Sequence, residues 1–422
     1  MQTSLRGIAN RAMSHKGHRF RNLYGLLNEE NLQWCWRFLK KDAAPGADRV
    51  DYRMYEENLE ANISDLVERL KRKRYRAKLV RRRYIPKPNG KTRPLGIPAT
   101  EDKLLQLAVA KILEAIFEAD FLDCSFGYRP NRSPKEAAKR LNNELHYGRY
   151  NWVVDADIQG FFDNINHDWM IRMLEERIDD EPFIRLIRKW LKAGILEPDG
   201  QVRRPDLGTP QGGIVSPLLA NLYLHYALDL WFERRVRPRC RGEALLIRFA
   251  DDFVCAFQLR SEAEAFFEAL VGRLDKFGLG LAPDKTHIIR FRRSDISGSD
   301  RFDFLGFEYY WARTRSGRPG VKRRTSRKKL RASLEAFSDW IKRSRSIPVS
   351  RLMRVLKAKY RGYYTYYGVV GNSESLAAFF YCSKRILFKW LNRRSQRRSY
   401  SWAGFQALLD TFGIAGPTLS AL

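Results

Sequence analysis

The stretch whose reading decides the fold is Leu245-Leu246-Ile247-Arg248-Phe249-Ala250-Asp251-Asp252-Phe253-Val254-Cys255-Ala256-Phe257. Two largely apolar runs of strand length flank Ala250-Asp251-Asp252, which predicts strand, tight turn, strand. Neighbouring side chains in a strand point to opposite faces, so adjacent aspartates converge on one site only at a turn. Taken alone, an Asp-Asp pair is most often a turn cap. Its company changes that reading. Trp152-Val153-Val154-Asp155-Ala156-Asp157-Ile158 is a second strand pattern, and it also ends in a carboxylate. With Asp157 alongside Asp251 and Asp252, three carboxylates would share one cleft, too many like charges to leave unpaired. Divalent metal resolves the repulsion: two ions ~3.5–4 Å apart activate an attacking hydroxyl and stabilise a leaving oxygen. All-oxygen ligation suits Mg2+, with Mn2+ as a possible substitute.

Outward from these strands the chain alternates helix and strand signals. Leu32, Trp36 and Leu39, then Leu59, Ile63, Leu66 and Leu70, recur at the helix period, separated by a loop at Ala44–Asp48. The densest basic stretch follows, Lys71-Arg72-Lys73-Arg74-Tyr75-Arg76 and then Arg81-Arg82-Arg83. Short segments on either side of Asn89-Gly90 predict a β-hairpin. Glu101 to Ala119 is a long amphipathic helix, and helical signal returns at Glu262–Phe277. Phe304–Tyr309 is expected as one short strand. The fold class expected is α+β, an antiparallel sheet with helices on one face. Arg313–Lys329 is basic and contains Gly and Pro, which suggests a linker or an exposed hairpin. Beyond it three helical patterns, marked by Leu330–Ile341, Leu352–Tyr360 and Leu376–Leu391, predict a small all-helical domain.

Composition narrows the partner. The 422 residues hold 78 Lys and Arg against 48 Asp and Glu, a formal charge of +30. Such an excess opposes compaction unless something anionic offsets it. Nucleic acid is the leading candidate, because each neutralised phosphate releases counterions. A membrane surface is the weaker one. At 44% hydrophobic and 13% aromatic residues the chain can bury a core, which excludes disorder. No uncharged apolar run approaches the ~20 residues of a membrane span, and Met1–Asn22 lacks the apolar core of a secretory signal. The five cysteines are scattered and form no CxxC, which argues against disulfides and structural zinc and fits a reduced cytoplasmic compartment.

Phe249-Ala250-Asp251-Asp252 resembles the (Y/F)xDD motif of reverse transcriptases, and Asp157-Ile158-Gln159-Gly160-Phe161-Phe162-Asp163 resembles their first metal-binding motif. Gly208-Thr209-Pro210-Gln211-Gly212-Gly213 through Asn221 is similar to the template-positioning motif in its group II intron version. Ile85–Pro98 and Ser125-Phe126-Gly127-Tyr128-Arg129-Pro130 look like that family's fingers motifs. Five motifs stand in the family's order. The resemblance implies a right-hand polymerase, with fingers and palm over residues 1–318 and a helical thumb or maturase domain over 319–422.

It implies roles as well. Asp157, Asp251 and Asp252 match the metal-binding triad, with the backbone carbonyl of Ile158 completing a site. Lys87 and Arg93 match residues that grip the incoming triphosphate, where cations meet developing phosphate charge. Phe162 matches the steric gate against a 2′-hydroxyl, and Gln211 a residue beside the nascent base pair. Lys285 matches a lysine that could protonate the pyrophosphate leaving group. Phe304-Leu305-Gly306 resembles the primer grip. Phe249 departs from the commoner Tyr. Arg129 and the run Tyr360-Arg361-Gly362-Tyr363-Tyr364 are nucleic-acid-binding candidates, since aromatics interleaved with a cation suit RNA stacking, although core packing explains half of these tyrosines equally well. No Cys/His cluster follows, so no zinc-bearing endonuclease domain is expected.

The implied partners are a structured RNA, an RNA template with a DNA primer, and deoxynucleoside triphosphates, with no membrane. The sequence does not specify an oligomeric state. The activity implied is RNA-directed DNA polymerisation with an intron RNA in splicing and mobility. A related reverse transcriptase serving antiviral defence or repair, and a maturase that binds RNA without polymerising, are the other readings; intact aspartates with Lys87 and Arg93 weigh against the last.

Overall fold

The computed structural model describes residues 1–86, 90, 92–296, 300–314, 316–394 and 399–417. They fall into two compact units, Met1–Ala137 with Val154–Ile288, and Ala138–Val153 with Ile289–Leu422. Helices α1 (Gln2–Ser14), α2 (Glu29–Trp36), α3 (Tyr52–Glu56) and α4 (Leu59–Lys71) open the first unit. Strands β1 (Val80–Pro86) and β2 (Thr92–Ile97) then pair antiparallel, as the Asn-Gly signal predicts. Helix α5 (Thr100–Phe117) is buried along almost its whole length, its charged first turn included. Burial there is tolerated because each charge has a partner: Glu101 meets Arg69, Asp102 meets Tyr75, and Lys103 donates to the Ala44 carbonyl.

Helix α6 (Pro134–Tyr147) leads to β3 (Trp152–Ala156) and the short β4 (Ile158–Gln159), then α7 (His167–Glu175) and α8 (Glu181–Leu191). Asp180 caps α8 by accepting from the Phe183 amide at 3.1 Å, with Pro182 in the first turn. Phe183, Ile184, Leu186, Ile187, Trp190 and Leu191 bury its inner face, each worth roughly 1.5–3 kcal/mol. Strands β5 (Ile195–Leu196) and β6 (Val202–Arg203) extend the first hairpin, and β1–β5 is a parallel pair. That four-stranded sheet is therefore mixed rather than purely antiparallel. Helix α9 (Ser216–Leu224) is buried and continues into π-helical segments at His225–Asp229 and Phe232–Val236. Strands β7 (Ala244–Phe249) and β8 (Asp252–Phe257) form the predicted hairpin. After α10 (Arg260–Asp275) come β9 (Gly280–Leu281), paired with β4, and β10 (His287–Arg290). The central sheet runs β10–β3–β8–β7.

In the second unit, β11 (Arg301–Phe304), β12 (Phe307–Arg313) and β13 (Pro319–Thr325) make a three-stranded antiparallel sheet. Phe304–Tyr309 is thus no single strand. Leu305 and Gly306 form a turn at φ 50° and 81°, held by Tyr366 Oη and the Ser326 amide donating to their carbonyls. The basic stretch expected as a linker or exposed hairpin is a hairpin, but β13 is largely buried, because Val321, Arg323 and Thr325 turn inward. The boundary expected at 318/319 falls inside that hairpin. The three predicted helices are α11 (Arg327–Ser344), α12 (Val349–Tyr367) and α13 (Ser373–Leu391). A fourth, α14 (Trp402–Thr411), contributes Phe405 and Leu409 to their common core.

Candidate active site

Phe249 and Asp252 face each other across β7–β8, so Ala250 and Asp251 form a two-residue turn. Ala250 takes φ 57°, a left-handed conformation that a Cβ disfavours. That backbone puts both aspartates at one apex, Asp251 half-buried and Asp252 exposed. Beneath the turn, Arg248 is fully buried. Its Nε and Nη2 grip both carboxylate oxygens of Asp229 at 2.7 and 2.5 Å. Nη1 donates to Asn221 at 2.7 Å and to the Ala250 carbonyl at 2.9 Å, and Nη2 also reaches Ser125 Oγ at 2.8 Å. All five guanidinium donors are used. Sequence reading passed over Arg248 and Asp229; the available signal was one arginine inside an otherwise apolar strand.

The Ser125–Pro130 segment lies directly on this turn. The Phe126 amide donates to the Arg248 carbonyl at 2.9 Å, and a Cβ on Gly127 would stand 2.2 Å from the Ala250 nitrogen. Glycine is required there for contact, not for its torsion angle. Asp157 follows β3, the hydrogen-bonded neighbour of β8, and its carbonyl accepts from the Ala282 amide at 2.8 Å. Its carboxylate pairs with the Lys285 ammonium, and that hydrogen bond raises the lysine pKa. Burial pushes the Asp251 carboxyl above the usual range and the Asp157 charge adds to it, while Arg93 and Arg248 pull it down. Asp157, Asp251, Arg93 and Lys285 therefore share one electrostatic neighbourhood, which Asp252 also reaches through Lys285. Lys87 lies outside the described residues.

The remaining nucleotide-site candidates sit on two linked loops. Phe162 is half-buried in a 3-10 turn, edge-on to Phe161 at 5.4 Å. Its carbonyl accepts from the Thr209 amide at 2.8 Å. The loop continues to Gln211, whose carbonyl accepts from the Gly96 amide at 2.6 Å, three residues along β2 from Arg93. Gly212, at φ 118°, passes so close that a Cβ would stand 2.5 Å from the Gly96 oxygen. Backbone contacts thus string Phe162, Gln211 and the Arg93 strand together. Ile158 is buried in β4, opposite Leu281.

The carboxylate chemistry of Asp157, Asp251 and Asp252 fits a hard divalent cation. In this structure Lys285 holds one member of the set, and among the described residues no group of three His, Cys, Asp or Glu is drawn together at ligating distance.

Residues 85–309 match the family described as reverse transcriptase (RNA-dependent DNA polymerase). The protein YkfC of Escherichia coli K12 is 34% identical over 326 residues, covering 69% of this chain and 84% of that one. The chain belongs to the reverse transcriptase family. Within it the group II intron type is indicated by the group II intron-encoded protein LtrA of Lactococcus lactis subsp. cremoris, 48% identical over 167 residues. That match covers 39% of this reverse transcriptase but 27% of the intron-encoded protein. A further relative is an uncharacterized 91 kDa protein in the cob intron of Schizosaccharomyces pombe, 40% identical over 171 residues, or 40% of this chain and 21% of that one. Among solved structures, telomerase from Candida albicans in complex with a fragment of telomeric RNA is similar at TM-score 0.44 and 13% identity, over 86% of this chain and 68% of that one. Reverse transcriptases use divalent metal ions. No helix among the described residues of this reverse transcriptase is long and apolar enough to cross a membrane.

Two groups of expected nucleic-acid contacts are placed otherwise. Arg129 is buried, chelating Glu118 and donating to the Leu122 and Ser125 carbonyls at 2.7 and 2.8 Å. These bonds occupy the guanidinium in bracing the loop over the turn, which leaves it unfit to reach RNA. Tyr360 is buried and shares a hydrogen bond with Ser383 at 2.8 Å. Tyr363 stacks on Phe379 at 3.7 Å, and Tyr364 packs against the same helical core. Tyr360 lies in the interior and Tyr363 and Tyr364 are half-buried against it; Arg361 alone of the run's charged or aromatic candidates is exposed.

Proposed function

We propose that this RNA-directed DNA polymerase binds a structured RNA, copies it into DNA from a DNA primer, and acts with a group II intron in splicing and mobility. The single observation that carries the polymerase reading is the two-residue turn presenting Asp251 and Asp252 in one electrostatic neighbourhood with Asp157, which follows β3. Asp157, Asp251 and Asp252, with the Ile158 carbonyl, would hold two Mg2+ ions. When bound, such ions lower the pKa of the attacking 3′-hydroxyl and offset charge on the leaving oxygen.

The chain's own residues supply the rest. Arg93, with Lys87, binds the triphosphate and neutralises its charge. Phe162 would act as the steric gate against a 2′-hydroxyl, which favours deoxynucleotides. Gln211 lines the base pair through a loop held by backbone bonds. Lys285 holds a proton close to Asp157 and is positioned to deliver it to pyrophosphate as the bond breaks. Residues 1–318 form the fingers and palm and 319–422 the thumb in this reading.

The test is primer extension on an RNA template with deoxynucleotides and Mg2+. Replacing both Asp251→Asn and Asp252→Asn should lower extension by at least about a thousandfold while RNA binding persists. Full extension by that double variant would overturn the assignment.

A further inference from the structure

A cleft of about 1080 Å3 opens between the segment after α4 and the outer face of α8. One wall carries Lys73, Arg74 and Arg76. The other carries Arg185, Arg188, Lys189 and Lys192, and Arg204 closes the edge. Arg185, Arg188 and Lys189 on α8, with Lys192 at its C-cap, follow the spacing i, i+3, i+4, i+7 and form one stripe opposite the buried apolar face. No carboxylate lines the cleft among the described residues; the one ion pair at its rim is Arg185 with Glu181 at 3.3 Å. Arg74, Arg76, Arg188, Lys192 and Arg204 are exposed and make no ion pair among the described residues.

Two features fix the backbone that carries this charge. Helix α4 ends in a Schellman turn: the Lys73 amide donates to the Leu70 carbonyl at 2.9 Å, and the Arg74 amide to the Arg69 carbonyl at 2.8 Å. The left-handed position, where glycine is preferred, is occupied by Lys73 at φ 57°. The walls are also pinned together. Tyr75 is buried; its Oη donates to Asp102 at 2.5 Å and accepts from Trp190 Nε1 at 2.8 Å, while Lys189 Nζ donates to its carbonyl at 2.6 Å. Buried hydrogen bonds thus fix the two walls that carry these exposed cations relative to each other.

We propose that this groove is a second RNA-binding site, which grips the phosphate backbone of a folded RNA outside the template–primer path. The four cations of α8 and its C-cap span about 10 Å, the reach of about three successive phosphates on one strand. The groove meets β1 at its Leu79–Val80 end, whereas Arg93 pairs with Ile85 six residues along, about 20 Å away. The proposal rests on the polymerase reading for the choice of RNA as the polyanion, and its readout is a binding equilibrium that needs no catalysis.

The experiment titrates bulk tRNA, a folded RNA without a primer, against the full chain at several salt concentrations. The variant combines Arg74→Gln, Arg76→Gln, Arg188→Gln and Lys192→Gln. Expected are an affinity loss on the order of 10- to 100-fold and a slope of log K against log salt smaller by about 3. Extension of a short primed template should stay as in the parent chain. A companion variant with Arg74→Lys, Arg76→Lys and Arg188→Lys should keep the affinity, which separates charge from a folding defect. Unchanged tRNA affinity and slope would overturn the proposal. So would a parallel fall in short-template extension, which would make the groove part of the template path, or a loss confined to phosphatidylglycerol vesicles, which would make it a membrane contact.

Discussion

Beneath the Asp251–Asp252 turn, Arg248 has no exposed surface and every donor engaged, with Asp229 equally buried as its counter-charge. Along α8, Arg188 and Lys192 are exposed and unpaired among the described residues, although like charges one helical turn apart repel. The first arginine is internal structure, neutralised where it stands and tied by hydrogen bonds to the turn that holds the candidate catalytic aspartates. The second group is charge without a counter-charge in this unit. The net charge of +30 is therefore not one quantity with one use. Arg248 is matched and shapes the site, whereas Arg188 and Lys192 carry their charge at the surface with no ion pair among the described residues.

The contrast breaks most sharply by mutation of the buried pair. Arg248→Met leaves Asp229 buried and alone, and is expected to destabilise the chain by about 3–5 kcal/mol in urea denaturation. Arg188→Gln should change stability by less than about 0.5 kcal/mol. Adding Asp229→Leu to Arg248→Met should recover most of the stability, since an apolar pair of similar volume replaces the ions. Extension should stay impaired in that double variant, because no donor remains for the Ala250 carbonyl. A double variant that regains both stability and extension would reduce Arg248 to a packing residue.

The buried network also predicts a pH limb that the exposed cluster lacks. His225 feels the charges of Asp229, Arg248, Arg234 and Arg129 and stands edge-on to Phe121 at 5.5 Å. Burial lowers its pKa from 6.5 to about 4. A depressed histidine contributes stability that is present above pH 6.5 and lost as pH falls through 4. For a group this buried the loss amounts to about 3 kcal/mol between those limits. His225→Phe should remove that limb, so parent and variant stability curves converge in shape above pH 6.5 and separate below it. Asp102 acts oppositely: burial raises it to about 6, so its contribution is present at low pH and lost as pH rises through 6. Parallel curves for parent and variant from pH 7 to 4 would contradict the assignment.

Why the two regions differed in legibility follows from sequence distance. The hairpin was readable because Leu245–Phe257 carries its turn, both strands and both carboxylates within thirteen consecutive positions. Arg248 was not, because its partners Asp229, Asn221 and Ser125 lie 19, 27 and 123 positions away. Arg129 was misread for the same reason: a guanidinium looks available until Glu118 is found folded against it. The tyrosine run is a different case. Tyr360, Tyr363, Tyr364 and Tyr367 follow the i, i+3, i+4, i+7 pattern of a core-facing stripe, with Tyr360 buried and the other three half-buried, while Arg361 and Thr365 face solvent. Residue types alone leave stacking on RNA and core packing equally open there, and the helical spacing is the signal that favours the core. The basic stretch Lys71–Arg76 was visible as charge, but its counterpart on α8 begins more than a hundred residues later and became a groove only when Tyr75 pinned the two together.

The smallest expected effect tests whether the turn itself is held against its backbone preference. Ala250 at φ 57° carries a Cβ in a conformation that glycine adopts freely. Ala250→Gly relieves that strain but enlarges the unfolded ensemble, so the net gain should be no more than about 1 kcal/mol, read as a small rise in the urea midpoint. If Arg248 and Gly127 hold Ala250 in order to fix the direction of Asp251, the freed glycine should also make extension slower under single-turnover conditions. The two readouts then move in opposite directions. Glycine that leaves both unchanged would mean that the hydrogen bond from Arg248 and the close contact of Gly127 already set the turn completely, and that the alanine side chain carries no part of its geometry.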